Sequence, residues 1–589
     1  MVHRRLRKGW TLLLVAGAVI AVVAGVMLCP KLHAWRLHAL FEGEAVTEPA
    51  PEGMCGGIVY DLAKYAPVPE DFVPAPGPTV PDNDPTMGAR SVLRVAGDSV
   101  YRERRHAAFL HLTYPREGAV FPPNLCAPFV EWDDRHNDLW QITIRIPDQS
   151  LAWVRLSETR RWRVPTRVWR GVVAAGVGHE VTVAVRGIKR SGLWGKAREA
   201  VHASQTVRFR VSPDPIDHAV VYRLVMPPFV NMKTPDTFVR DVRKLKPEPF
   251  ILGRRQYCIN CHTFSSPTGR DGKLGIQVRY QGGEGAYQPR TYLGIYDFAT
   301  RRTTKVLLPF KPQGSTFMAF SPDGRKLALT ASHQVFAVPP DGYDTLITVQ
   351  EGARIAMYDL DAGTASLVGG THPKGTLQIS PCWTPDGKSL IYASAPGGLH
   401  SEITHFRLMI VDVAGGAPRA LKNVPNAERR SSYYPRFSPD GKHFTFVQSD
   451  GGTFIKSSSD IYLMPADFSR KATPLASNVP HAADSWYSWS SNGRWIVFAS
   501  KRDDGCFARL YFAHVDAEGN AATPVRLPIA RERLMSFNVP EFVAEVPAMS
   551  ERKFFEGLHG AVEGVPVEWA EDTDHAGEDA PTERKLPRH

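Results

Sequence analysis

One four-residue pattern, recurring four times in the second half of the chain, restricts the fold more than any other feature. Ser321-Pro322-Asp323-Gly324, Thr384-Pro385-Asp386-Gly387, Ser438-Pro439-Asp440-Gly441 and Ser490-Ser491-Asn492-Gly493 begin 63, 54 and 52 residues apart. Proline presets φ, aspartate accepts nearby backbone donors and glycine takes a positive φ, so each copy is a tight turn. An aromatic residue precedes each turn (Phe320, Trp383, Phe437, Trp489), and a basic residue and an alternating run follow, as in Arg494-Trp495-Ile496-Val497-Phe498. Second strand-like runs come later in each unit, for example Leu408-Met409-Ile410-Val411 and Ile461-Tyr462-Leu463-Met464. Short strands repeating every 40 to 60 residues, roughly, mean propeller blades. A degenerate copy at Gly269-Arg270-Asp271-Gly272 precedes the others. That predicts a propeller over residues 267–546 with five blades, or six if flanking segments complete the ring.

Upstream, residues 109–212 carry short alternating runs such as Trp140-Gln141-Ile142-Thr143-Ile144 and Val181-Thr182-Val183-Ala184-Val185, punctuated by Gly and Pro. That rhythm predicts a β-sandwich of immunoglobulin or fibronectin-III type. The fold class expected is therefore all-β. Residues 213–266 read as a connector, and 547–589 as a polar, disordered tail. Residues 31–108 read as a linker, since Pro67 to Pro85 holds seven prolines in nineteen residues and favours extended backbone.

The first thirty residues predict a membrane segment. Arg4, Arg5, Arg7 and Lys8 precede the uncharged stretch Gly9 to Cys29, which as a helix would span about 31 Å. A basic N-terminal flank keeps that end in the cytoplasm. A single-pass signal anchor in the inner membrane, with the body in the periplasm, is the expectation, and a cleaved signal peptide the alternative. The net charge of +11 over 589 residues comes with no groove-reading motif, so no nucleic-acid partner is expected.

Cys258-Ile259-Asn260-Cys261-His262 is the densest chemical motif in the chain. Two thiols three residues apart, followed directly by a histidine, are the attachment pattern of covalent haem c, with His262 as axial iron ligand. Zinc would need a second close pair of ligands, and no other C-x-x-C is present. Of the other cysteines, Cys382 and Cys506 are conceivable disulfide partners in an oxidising compartment. For the sixth iron position Met318 is the leading candidate, with His333, His372 and Met232 as rivals.

These residues carry two resemblances. The turn repeats resemble the WD40-like (PD40) repeats of TolB-type β-propellers. The stretch from Cys258 to Ser265, with Asp271-Gly272-Lys273-Leu274-Gly275 and Asn538-Val539-Pro540-Glu541-Phe542, is similar to a group of bacterial exported proteins. That group joins a haem motif to such a propeller, often behind an immunoglobulin-like domain. The resemblance implies a periplasmic haem protein and assigns no activity. No G-x-S-x-G elbow, P-loop or dinucleotide fingerprint occurs, which argues against a hydrolase or nucleotide enzyme. The leading expectation is a monohaem cytochrome transferring one electron to or from a redox partner in the periplasm or membrane. The alternative is an envelope scaffold binding protein or glycan, with a structural or sensory haem.

Overall fold

The computed structural model describes residues 110–566 apart from short stretches, the longest being 226–235, 281–289, 338–344 and 397–404. Residues 1–109 and 567–589, with the expected signal anchor and proline-rich linker, lie outside the described residues. Among the described residues no helix is long and apolar enough to cross a membrane. The chain forms two compact units, one running to Ile216 and including Ala522–Pro528, the other comprising Asp217–Ala521 and the residues from Ile529 onward.

The first unit is built from two main sheets and a two-stranded ribbon of Arg190–Ser191 and Lys196–Ala197. One joins Leu110–Tyr114, Phe129–Asp134 and Arg161–Arg163; the other orders Ala119–Phe121, Val207–Val211, Glu180–Ile188, Leu139–Ile146 and Leu151–Ser157. Period-two alternation does what it should, burying Val181, Val183 and Val185 on one face. A helix that the strand pattern did not suggest, α1 (Thr166–Gly176), packs Trp169, Val172 and Gly176 inward at helical spacing. The Trp169 ring meets Phe121 at 5.2 Å, and its indole N–H donates to the Leu125 carbonyl at 2.9 Å.

The second unit is a six-bladed propeller. Blade 1 joins Glu248–Ile251, Asp236–Asp241 and Ala219–Val225 to Ser536–Val543, the last long strand of the chain. Blades 2 to 6 follow in sequence, with inner strands Tyr257–Phe264, Thr316–Phe320, Thr376–Trp383, Ser431–Phe437 and Asp484–Trp489. Each inner strand packs on the next, and Ser536–Val543 packs on those of both blade 6 and blade 2, so the ring closes. Residues 213–266, expected as a connector, are thus mostly propeller: they supply three strands of blade 1 and the inner strand of blade 2. The six-blade alternative is the one realised, because apolar strands flanking the five recognisable repeats need a sheet to complete.

Each tight turn closes the same way. In blade 3 the Ser321 N–H donates to the Lys326 carbonyl at 2.8 Å, the Lys326 N–H to Ser321 Oγ at 2.9 Å, and Ser321 Oγ to Asp323 at 2.5 Å. Gly324 sits at φ +69°, where a Cβ would be strained. Thr384, Ser438 and Ser490 repeat the pattern. In blade 2, Ser265 and Lys273 make the equivalent pair of bonds. Their loop is three residues longer than the Ser321–Lys326 one, which is why its turn sequence reads as degenerate.

Blade 6 is the copy without proline, and its Ser491 has another task. The Ser491 N–H and hydroxyl both donate to the Asp217 carboxylate, at 2.8 and 2.5 Å, fastening the turn to the start of blade 1. Proline could supply neither donor.

The region expected as a disordered tail is partly ordered. Helix α2 (Glu551–Gly560) buries Phe554, Phe555 and Leu558 in the cluster that also holds Leu274, Ile276 and Tyr296 of blade 2. Val565–Pro566 then pairs with Arg302–Leu307. Apolar area at three positions of one helix, about 2 kcal/mol per side chain, outweighs the polar composition around it. Cys382 and Cys506 carry free thiols, so the conceivable disulfide between them does not form.

Candidate functional site

All six inner strands break register near the same place. The shifts fall between Ile259 and His262, Thr316 and Ala319, Ile379 and Cys382, Tyr433 and Arg436, Ser485 and Tyr487, and around Asn538 to Glu541. In five of the blades the extra residue takes a left-handed backbone without being glycine: Phe317 (+46°), Ser380 (+57°), Tyr434 (+57°), Trp486 (+40°) and Val539 (+50°). Such residues cost on the order of 1 kcal/mol or more each. A bulge repeated round a ring re-aims one side chain per blade. The residue two positions on is Ala319, Cys382, Arg436, Ser488 or Glu541, and the blade 2 equivalent, counted back from its turn serine, is Thr263.

The C-x-x-C-H motif lies in this ring. Cys258 pairs with Arg279 and His262 with Ile276 in the inner strand of blade 2, with Cys261 in the bulge. Cys261 and His262 are both buried. A bulge breaks regular alternation, and the contacts of the two residues differ. Cys261 Sγ lies 3.6 Å from Thr316 Oγ1 in blade 3. The His262 ring sits 6.3 Å from that of Phe264, which lies 6.3 Å from Phe250 in blade 1.

Met318, also buried, occupies the position in blade 3 that His262 occupies in blade 2, three residues before the turn serine. Phe320, two residues later, faces blade 2, where a Cβ on Gly275 would meet its ring at 3.4 Å. The two expected iron ligands therefore hold equivalent positions on neighbouring inner strands. His333, His372 and Met232 lie outside the described residues.

A haem c would take its thioethers from Cys258 and Cys261 and its axial nitrogen from His262, and the donor set is chemically suited to that. The extended strand does not present Cys261 and His262 to one macrocycle. With the motif in this strand the residues do not fit the group, and attachment requires residues 258–262 to leave it. Among the described residues no group of three or more His, Cys, Asp or Glu side chains is disposed to hold a metal ion.

What the ring does assemble is a set of ionisable groups from different blades. The Glu541 carboxylate accepts the Phe264 N–H at 3.1 Å and the Thr263 hydroxyl at 3.3 Å. Burial pushes this carboxyl up to about 7, against the pull of the Phe264 N–H, the Arg436 charge and the Thr263 hydroxyl. The Arg436 guanidinium lies over the Tyr434 ring at 4.4 Å and donates to the Pro435 carbonyl at 3.2 Å. Burial pulls Arg436 down, but Tyr434, Cys382, Glu541 and Tyr487 together hold it above its ordinary value. Burial pushes the Cys382 thiol and the Tyr434 and Tyr487 phenols up, so all three stay neutral. Tyr487 donates to the Tyr434 carbonyl at 2.9 Å.

Sequence reasoning missed this cluster. Its signal was present in Ser380-Pro381-Cys382, Tyr434-Pro435-Arg436 and Val539-Pro540-Glu541. A proline inside a run that otherwise reads as strand marks a bulge, and the residue after it is the one re-aimed.

No protein-family model and no curated protein matches the chain. Among solved structures, it is similar to a protein from Agrobacterium tumefaciens assigned as a TolB, at 18% identity over 53% of this chain and 88% of that one, with a TM-score of 0.32. An oligogalacturonate lyase from Vibrio parahaemolyticus matches at 13% identity over 52% and 73% of the two chains, TM-score 0.28. A Porphyromonas gingivalis dipeptidyl peptidase 4 matches at 13% over 45% and 46%, TM-score 0.26. Likenesses at this level carry nothing about chemistry, and the propeller rests on the sheet order described above.

Proposed function

We propose that the chain is a haem c protein of the bacterial envelope, anchored at the inner membrane with its body in the periplasm, and that it passes single electrons to a protein partner there. The observation that carries this reading is the C-x-x-C-H set itself, Cys258, Cys261 and His262. When bound, haem c supplies a one-electron couple whose potential depends on its axial ligands and surroundings. Cys258 and Cys261 would anchor it and His262 would hold the iron. Met318, on the neighbouring inner strand of blade 3, is the side chain we propose for the sixth position.

The test is direct. Full-length chain, exported and purified, should retain haem through denaturing electrophoresis, and Cys258→Ser with Cys261→Ser should remove it. An exported wild-type chain with no covalent haem ends this reading. The scaffold reading then stands in its place, a TolB-like propeller binding an envelope partner, and the half-open cluster of Arg436 and Glu541 at the axis favours it.

A further inference from the structure

The residues around Arg436 come from blades 1, 2, 4, 5 and 6, and side chains from so many blades of one ring can meet only at its axis. Thr263, Cys382, Arg436 and Glu541 hold equivalent positions on their inner strands, each aimed by the same bulge. Tyr434, Tyr487 and Cys382 are buried, whereas Arg436 and Glu541 keep part of their surface open. The cluster therefore buries a thiol and two phenols and leaves two charged side chains partly exposed.

Its charges do not cancel by contact. Among the described residues no carboxylate oxygen lies within 4.0 Å of the Arg436 guanidinium. The nearest acid in influence, Glu541, gives its oxygen to the backbone and hydroxyl of the blade 2 strand instead. Guanidinium stays ionised at any physiological pH. The neighbouring thiol and phenols, of which Cys382 and Tyr434 hydrogen-bond to the guanidinium, are neutral at physiological pH and carry no balancing charge there. A half-buried cation without an ion-pair partner, beside low-dielectric walls, attracts an anion more strongly than a fully exposed arginine does.

We propose that Arg436 is the recognition group of an axial binding site for a small molecule bearing one carboxylate. The planar fork of arginine matches a carboxylate in a bidentate pair. The Tyr434 ring lies 4.4 Å from the guanidinium carbon, and Pro435, Cys382 and Tyr434 take hydrogen bonds from the group; the ligand would take the group's other N–H donors. One carboxylate fits better than a phosphate dianion because the site holds one cation, with Glu541 close enough to repel a second negative charge. The proposal does not depend on haem attachment, although a haem propionate has the same chemistry and is one source of the carboxylate.

The test uses full-length chain and thermal unfolding in lactate or propionate against chloride at equal ionic strength. Wild type should show a saturable rise in Tm, and Arg436→Gln should weaken the apparent affinity at least tenfold. Arg436→Lys, which keeps the charge without the fork, should fall between. Should Arg436→Gln fail to fold, the double variant Arg436→Gln, Glu541→Gln removes both charges and serves instead. An equal rise in a folded Arg436→Gln chain overturns the proposal. The measurement is made on haem-free chain carrying Cys258→Ser and Cys261→Ser as well as on wild type, and absence of a saturable rise in both overturns the proposal.

Discussion

The Glu541 carboxylate accepts the backbone N–H of Phe264 across 3.1 Å of space and 277 residues of sequence. It thereby fixes the strand just after His262 to the strand that closes the ring. Because burial holds Glu541 near 7 in the folded protein, against about 4.3 when unfolded, the folded state binds its proton more tightly. Stability should therefore fall as pH rises from about 4.5 to about 7 and level off above. Glu541→Gln keeps an oxygen for Phe264 and should flatten that slope, raising Tm at pH 7.5 by a few degrees at most. Thermal unfolding of both chains between pH 4.5 and 8 checks this; parallel curves would count against it.

A second carboxylate should behave alike. Burial first, and the Asp484 charge second, raise Asp460 to about 6, with Arg430 opposing. Asp460→Asn should remove a loss of stability that wild type suffers between about pH 4 and 6, visible as a smaller pH dependence of the urea midpoint.

Arg502 and Asp484 form a fully enclosed ion pair at 2.7 Å, and the guanidinium also lies 4.6 Å from the Tyr511 ring centre. Removing one partner strands the other charge, so Arg502→Ala should cost about 3–5 kcal/mol. The double change Arg502→Met, Asp484→Leu should recover much of it. Chemical denaturation gives both numbers.

Ser491→Pro would make blade 6 match the other repeats, and it should still destabilise the protein. It deletes both donors to the buried Asp217 carboxylate, a loss of roughly 2–4 kcal/mol when a charged acceptor is left unsatisfied. A more stable Ser491→Pro chain would show that the clasp contributes nothing.

If haem attachment draws residues 258–262 out of the inner strand, the amides of Lys273–Tyr280, which pair with that strand, should exchange faster in haem-loaded than in haem-free chain. Hydrogen exchange by mass spectrometry reads this directly. Equal protection would mean that haem and strand coexist.

The propeller was legible because its turns are chemically specific: Ser321, Thr384 and Ser438 each need the aspartate and glycine that follow them, so the pattern survives in sequence. Blade 1 was hidden because its strands sit at both ends of the ring and it has no such turn. Helix α2 was masked by acidic residues beyond it, although Phe554 and Leu558 stand four apart. The axial cluster was illegible for a different reason. Phe317, Tyr434 and Trp486 adopt a glycine-like backbone without being glycine, and only the aligned prolines 381, 435 and 540 hint at it. The haem motif was plain as chemistry, but its orientation depends on a strand that residues far downstream complete.

The closing strand Ser536–Val543 is also the last of the inner strands to leave the ribosome. Until it arrives, five blades have been synthesised with no axis to enclose, and Arg436 faces open solvent without Glu541 opposite. The proposed axial site is therefore absent from any fragment that lacks this strand, and usable as a chemical reporter that the whole ring has been made.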